Sequence, residues 1–389
     1  MVNLDKLSML GAPPIESVWP CGAHGRYLSM LPVGEALSAK MANMSFVCAV
    51  LVVFMHVGSP TPVGSFPWFF IEPFHEILGD MAVPYFFMAS GFFLAGHMEE
   101  PGWYPREMKK RFRTLLVPYV LWSLLFAVYL MPVAILANLH AQRVWNWNLG
   151  FPGWIKTFGL DFLQNPLLPP FWFLRWLICL CLASPLLYWI VRKTGFWGLA
   201  AVYVLATLKT AGAPWLKSSP WWCPWKWILL YPFGTFYFLL GIAWRTGVFA
   251  AVPDKIKRIP AWVGLLFLAT KLVSFAAAGF GWTDPEGCFG TFFIRNLSFL
   301  TPCLLAFVWM CIPGGKWPAW LTGASFGLYV GHPFFTHFLD SIRWFWGLGI
   351  GPGIMCLFRW TFAMAGCLAS VAVLKKWFPR TAKLLFAGR

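Results

Sequence analysis

Residues 41–58 read MANMSFVCAVLVVFMHVG. The stretch holds no Asp, Glu, Lys or Arg, and its one imidazole, His56, stands at the far end. A helix needs about 17 to 25 apolar residues to cross the roughly 30 Å hydrocarbon layer of a bilayer. The run at 42–57 falls just short of that range and has room to extend into either flank. Nine further runs follow, at about 81–97, 115–138, 171–191, 195–212, 226–244, 260–280, 291–312, 318–339 and 352–374. The interruption at 139–170, rich in Trp, Asn, Gly and Pro, has room for an interfacial helix.

The composition agrees with this reading. The 389 residues are 59% hydrophobic and 11% charged, against about 25% charged residues in soluble domains. In lipid, only helices and closed barrels satisfy every backbone polar group. Barrel strands alternate over short segments, whereas these runs are long and continuously apolar. The chain is therefore expected to be all-α, a polytopic membrane protein of about ten transmembrane helices. Residues 1–40 form an N-terminal segment, 41–375 the membrane domain and 376–389 a basic tail.

Ten spans place both termini on one side, and that side collects twenty of the thirty Lys and Arg residues. The excess of basic residues in short loops marks the cytoplasmic face, so both termini are expected to be cytoplasmic. The net charge of +16 is then mostly a rim facing anionic headgroups. Nucleic acid is not an expected partner, because the cations are spread over many loops rather than gathered on one face. PWWCPWKW, from Pro220 to Trp227, fits an interfacial aromatic belt. The ten cysteines are scattered through apolar runs and read as small hydrophobes without a disulfide framework. No compact apolar segment within residues 1–40 reads as a cleavable signal.

In this orientation His56 lies near the outer end of the first span. His332, in SFGLYVGHPFF (Ser325 to Phe335), lies in the outer half of the ninth. Two imidazoles at similar depth on two helices suggest a site. Charged side chains inside spans are costly and usually face a cavity; here they are Arg175, Lys271, Arg295 and Arg359. A histidine acting as base often has a carboxylate to orient its ring. The nearest in sequence are Glu72, Glu76 and Asp80, in FIEPFHEILGD (Phe70 to Asp80). Gly323-Ala324-Ser325-Phe326-Gly327 matches G-x-S-x-G but opens a membrane helix rather than following a strand. His332 and His337, five residues apart, do not share a helix face as a metal pair would, so no metal is expected.

Several segments in order resemble the membrane-bound acyltransferase-3 family. The family's first helix carries a basic residue, ten others, then a catalytic histidine; Ser45-FVCAVLVVFM-His56 keeps the gap and the histidine. VPYFFMASGFFL (Val83 to Leu94) resembles its second helix, and KKRFRTLLVPYVLW (Lys109 to Trp122) its basic start to the third. FWFLRWLICL (Phe171 to Leu180), YFLLGIAWR (Tyr237 to Arg245) and SFGLYVGHPFF follow in family order. The resemblance covers about residues 41–375 and departs at Ser45, where the family has Arg or Lys.

The resemblance implies an enzyme of the bacterial plasma membrane. It would transfer an acyl group, acetyl or succinyl, from cytoplasmic acyl-coenzyme A to a hydroxyl of an extracytoplasmic glycan or lipid-linked sugar. Acyl-CoA enters as co-substrate, and no permanently bound cofactor is implied. His56 would be the catalytic base or transient acyl carrier, and His332, Arg175 or Arg295 would bind the acceptor or the oxyanion. With Ser45 in place of the family's cation, Lys40, Lys109, Lys110, Arg111 or Arg113 would hold the donor phosphates, which call for cations. Eleven residues at about 100° each bring Ser45 and His56 onto one face, about 16 Å apart along the axis. A glycan or lipid-intermediate transporter is the alternative, although the paired broken helices common in transporters are not evident.

Overall fold

The computed structural model describes residues 33–57, 64–140, 169–210, 232–281, 300–346 and 352–386. Every regular element among them is a helix. The first are α1 (Glu35–His56), α2 (Phe66–Pro73), α3 (Ala82–Ala95), α4 (Trp103–Arg111) and α5 (Val117–His140). Next come α6 (Trp172–Leu182), α7 (Ser184–Thr194), α8 (Phe196–Thr210) and α9 (Pro232–Arg245). Then follow α10 (Asp254–Gly279), α11 (Thr301–Cys311), the single turn α12 (Ala319–Thr322), α13 (Ser325–Trp346), α14 (Pro352–Trp377) and α15 (Pro379–Leu385). Two π-helical turns interrupt the series, Phe74–Leu78 after α2 and Phe112–Leu116 between α4 and α5.

A helix stands at each of the ten expected spans, but their lengths differ. Among the described residues, four segments are long and apolar enough to cross a bilayer: Glu35–His56, Trp103–Tyr129, Asp254–Gly279 and Gly353–Trp377. The pair α6 and α7, bent by 66°, is a fifth if read as one span. The continuous helix expected at 171–191 is thus broken. Pro185 lies in the first turn of α7, where it has no N–H to give and its ring crowds the carbonyl four residues back. That carbonyl, of Cys181, accepts instead from the Ser184 hydroxyl at 2.6 Å. The span expected at 318–339 likewise divides at Gly323 into α12 and α13. α1 starts seven residues before the apolar run, at Glu35. The acidic side chain there suits the positive end of the helix dipole.

Helix pairs are drawn together through glycines. A Cβ at Gly91 of α3 would lie 2.1 Å from the Phe238 carbonyl oxygen, and one at Gly241 of α9 would lie 1.9 Å from that of Met88. The two backbones therefore touch at a reciprocal glycine crossing. Gly264 of α10 does the same with Cys303 of α11, at 2.1 Å. In lipid no hydrophobic drive brings helices together, so van der Waals contact between backbones has to do it, and small residues permit that approach.

α1 lies inside the bundle, against α3 and α13. Met44, Cys48, Val52 and Val53 are all buried. Its N-terminal half is pinned by Asn43, whose buried amide donates to the carbonyls of Pro313 (3.0 Å) and Gly315 (2.8 Å) just before α12. Asn43→Ala is expected to cost about 1–2 kcal/mol. Asn43→Asp, which sets acceptors against two carbonyls, should cost more. Thermal unfolding of the detergent-solubilised chain reads both, and equal stability of the two variants and wild type would contradict the pin.

Candidate active site

His56 is the last residue of α1 and is exposed. Its Nδ1 lies 2.8 Å from the carbonyl of Val52, one turn back. A carbonyl only accepts, so Nδ1 carries the proton and Nε2 keeps its lone pair. The ring is thus oriented by the backbone of its own helix, on the nitrogen where a carboxylate was expected. Of the carboxylates considered, Glu72 is half-buried on α2 and Asp80 is exposed beyond the π turn. The side chain of Glu76 lies outside the described residues.

His332 comes from α13 and is fully buried. Its Nδ1 donates to the Leu328 carbonyl at 3.0 Å, the same arrangement one helix away. Its Nε2 is buried with no hydrogen-bond partner among the described residues. The two rings lie side by side, with centroids 5.0 Å apart and planes at 52°. Sequence depth alone paired these residues, and the structure sets them in contact.

Of the other candidates, Arg175 on α6 is half-buried, with its guanidinium over the Trp176 ring at 5.3 Å. Arg295 lies outside the described residues. Lys271 is buried on α10, its ammonium 5.4 Å from the Phe267 ring centre. No three His, Cys, Asp or Glu side chains among the described residues converge as a metal site would require.

Two contacts that support the site were not anticipated. His75, on the first π turn, donates from Nε2 to the Met55 carbonyl at 2.9 Å. It thereby caps an orphan carbonyl at the end of α1 and fixes the turn that carries His56. π-helical turns are rare and frequent at functional sites, but the sequence FIEPFHEILGD drew attention to its carboxylates rather than to its imidazole. Lower on α1, the buried Tyr85 phenol donates to the Met41 carbonyl at 2.6 Å and lies 3.3 Å from the Ser45 hydroxyl. Ser45 itself donates to Met41 at 2.8 Å. Ser45 is therefore tied into a neutral polar knot, and Cys48 and Val52 above it are buried on the same stripe.

The basic start of α4 and α5 separates into engaged and open cations. Arg106 pairs with Glu100, and Arg192 pairs with Glu99 at 2.8 Å. The Glu100 carboxyl, hydrogen-bonded by His97 and then by Arg106, is held below the usual carboxylate range. Lys110 and Arg111 lie 3.5 and 3.7 Å from the buried Glu107. Lys109 and Arg113 are exposed, and no carboxylate pairs with them among the described residues. Lys40, near the start of α1, stacks on Trp309 at 4.9 Å.

A bundle that is all-helical among the described residues, with four helices long and apolar enough to cross a bilayer, points to a membrane protein. The acyltransferase-3 family model, described as an acyltransferase domain, matches residues 43–374. The chain belongs to that family, and it is an acyltransferase. No curated protein and no solved structure matches it.

Proposed function

We propose that this chain is an integral-membrane O-acyltransferase. It moves an acetyl or succinyl group from acyl-coenzyme A on the cytoplasmic face to a hydroxyl of an extracytoplasmic glycan or lipid-linked sugar. The observation that carries this reading is the pair His56 and His332, 5.0 Å apart, each with Nδ1 fixed to its own helix.

In the proposed reaction, Nε2 of His56 takes the proton of the acceptor hydroxyl as its oxygen attacks the thioester carbonyl. The tetrahedral adduct collapses with breakage of the C–S bond. The coenzyme A thiolate leaves and takes the proton back from the imidazolium. An imidazole, which can take up and give back a proton near neutral pH, is suited to both transfers. His332 in the same tautomer presents a lone pair, not a donor, at Nε2. It therefore serves better to bind the acceptor than to hold an oxyanion. Two adjacent acceptor nitrogens suit a sugar bearing neighbouring hydroxyls.

Lys109 and Arg113 are the cations open to the phosphates of the donor. Ser45, engaged by Met41 and Tyr85, does not replace the charge that the family has at its position. The double variant Lys109→Gln/Arg113→Gln is expected to raise KM for acetyl-coenzyme A about tenfold and leave kcat within twofold, since these groups act on the ground and transition states alike. Steady-state transfer of labelled acetyl to a glycan acceptor checks this. An unchanged KM would move the donor site elsewhere. The same assay tests the function: wild-type protein that releases no acyl group from acetyl- or succinyl-coenzyme A, with or without acceptor, would contradict the proposal.

A further inference from the structure

A cavity of about 250 Å³ lies between α5, α13 and α14 and beneath α15. Trp122, Phe335, Cys367, Val371 and Phe386 form much of its wall, and none of its lining residues comes from α1. α13 contributes Gly327 and Gly331 to the wall, and at Gly327 the helices are close, since a Cβ there would lie 2.3 Å from the Val371 side chain. A Cβ at Gly331 would meet nothing closer than the Cys367 sulfur at 3.3 Å. The wall offers almost nothing polar. The Trp122 indole N–H is already given to the Leu385 carbonyl at 2.9 Å, and Ser370 contributes the one aliphatic hydroxyl. Water entering such a space would find too few partners to stay. At one edge Leu125 is 45% exposed, so the cavity borders the surface that a membrane helix turns to lipid.

The C-terminal part of the chain that covers it carries charge of one sign. No Asp or Glu occurs after Asp340, whereas Lys375, Lys376, Arg380, Lys383 and Arg389 all follow. α15 is the roof. It buries Ala382 and Leu385 inward and leaves Arg380 and Lys383 exposed. Lys375 lies beside it, donating to the Gly323 carbonyl at 3.1 Å. An apolar slot with a cationic edge between membrane helices matches an anionic phospholipid.

We infer that this cavity holds an acyl chain of an anionic diacyl phospholipid, with the phosphate against Arg380 and Lys383. The inference rests on the membrane reading and is independent of the catalytic proposal. A second copy of this chain is a poorer occupant, because the same cations would face one another. The acyl group of the donor is poorer too, because His56 stands on α1, which takes no part in the wall.

The test is native mass spectrometry of the full chain in detergent, titrated with dioleoyl phosphatidylglycerol or dioleoyl phosphatidylethanolamine. Wild type should retain phosphatidylglycerol at the lower concentration. Arg380→Gln/Lys383→Gln alters two exposed residues and should weaken phosphatidylglycerol about thirtyfold, from the attraction typical of two cations near a lipid headgroup, with phosphatidylethanolamine unchanged. Ser370→Phe, which fills the slot, should abolish retention of both, with thermal unfolding confirming that the variant is folded. Equal retention of the two lipids by wild type would overturn the inference. So would a folded Ser370→Phe that still binds phosphatidylglycerol. Loss of palmitoyl-coenzyme A binding alone in Ser370→Phe would assign the slot to the donor. A changed oligomeric state with lipid binding intact would assign it to a second copy.

Discussion

Replacing His56 by alanine is expected to lower kcat/KM for acyl transfer by about 10²–10⁴, the usual contribution of a positioned general base. That corresponds to about 3–5 kcal/mol in the barrier. The substitution falls at the exposed end of α1, so little packing is lost and the chain should keep its thermal stability. The measurement is release and transfer of labelled acetyl from acetyl-coenzyme A by the purified variant, with wild type alongside. A loss of that size with an unchanged unfolding temperature separates chemistry from folding. His56→Gln adds a check. It keeps a polar group near the Val52 carbonyl but offers no titratable nitrogen, so it should be as slow as alanine. If His56→Ala transferred acetyl within twofold of wild type, the reacting base would have to be another group.

Gly241→Leu should have the largest structural effect. The backbones of α3 and α9 are already in contact at this residue, and a Cβ there would overlap the Met88 carbonyl at 1.9 Å. A leucine has to push the helices apart. Overpacking typically costs about 1–3 kcal/mol, and a clash with backbone rather than with a flexible side chain sits at or above that limit. The reciprocal Gly91, whose Cβ would meet the Phe238 carbonyl at 2.1 Å, predicts the same outcome for Gly91→Leu. Both variants should lose the monodisperse peak on size exclusion. Gly331→Ala, where the nearest atom is a sulfur at 3.3 Å, should remain folded. A well-folded Gly241→Leu would mean that the crossing is looser than described.

The helical class was legible because continuous apolar runs of span length admit no other backbone solution in lipid. Element ends were harder to read. Hydropathy does not register a single proline that breaks backbone pairing, so the bend between α6 and α7 at Pro185 was invisible in the run 171–191. It does not register polar residues continued into a helix either, so α1 begins well before its apolar run. For the site, the two histidines were legible as rare polar groups at matching depth. Their contact rests on the packing of α1 against α13, which no local pattern encodes. The backbone contact that orients His56 was not legible for a physical reason. A histidine at a helix end can use the carbonyl one turn back, and Val52 supplies it, so no carboxylate is needed on that nitrogen. His75 and Tyr85 were passed over because their partners are backbone carbonyls of Met55 and Met41, and a backbone acceptor leaves no trace in residue type. Among the cations near Lys109, the division into engaged and open groups turns on the buried Glu107, whose depth the charge count could not show.

A double-mutant cycle on His56 and His332 tests most directly whether these imidazoles form one catalytic site. Residues in contact within one network couple, and members of a catalytic unit are strongly non-additive. The proposed mechanism predicts that His332→Asn alone lowers kcat/KM by about 10–100-fold, the scale of a lost substrate hydrogen bond in a buried site. It also predicts that His56→Ala/His332→Asn is no slower than His56→Ala. Costs that multiply, or a His332→Asn variant as fast as wild type, would contradict it.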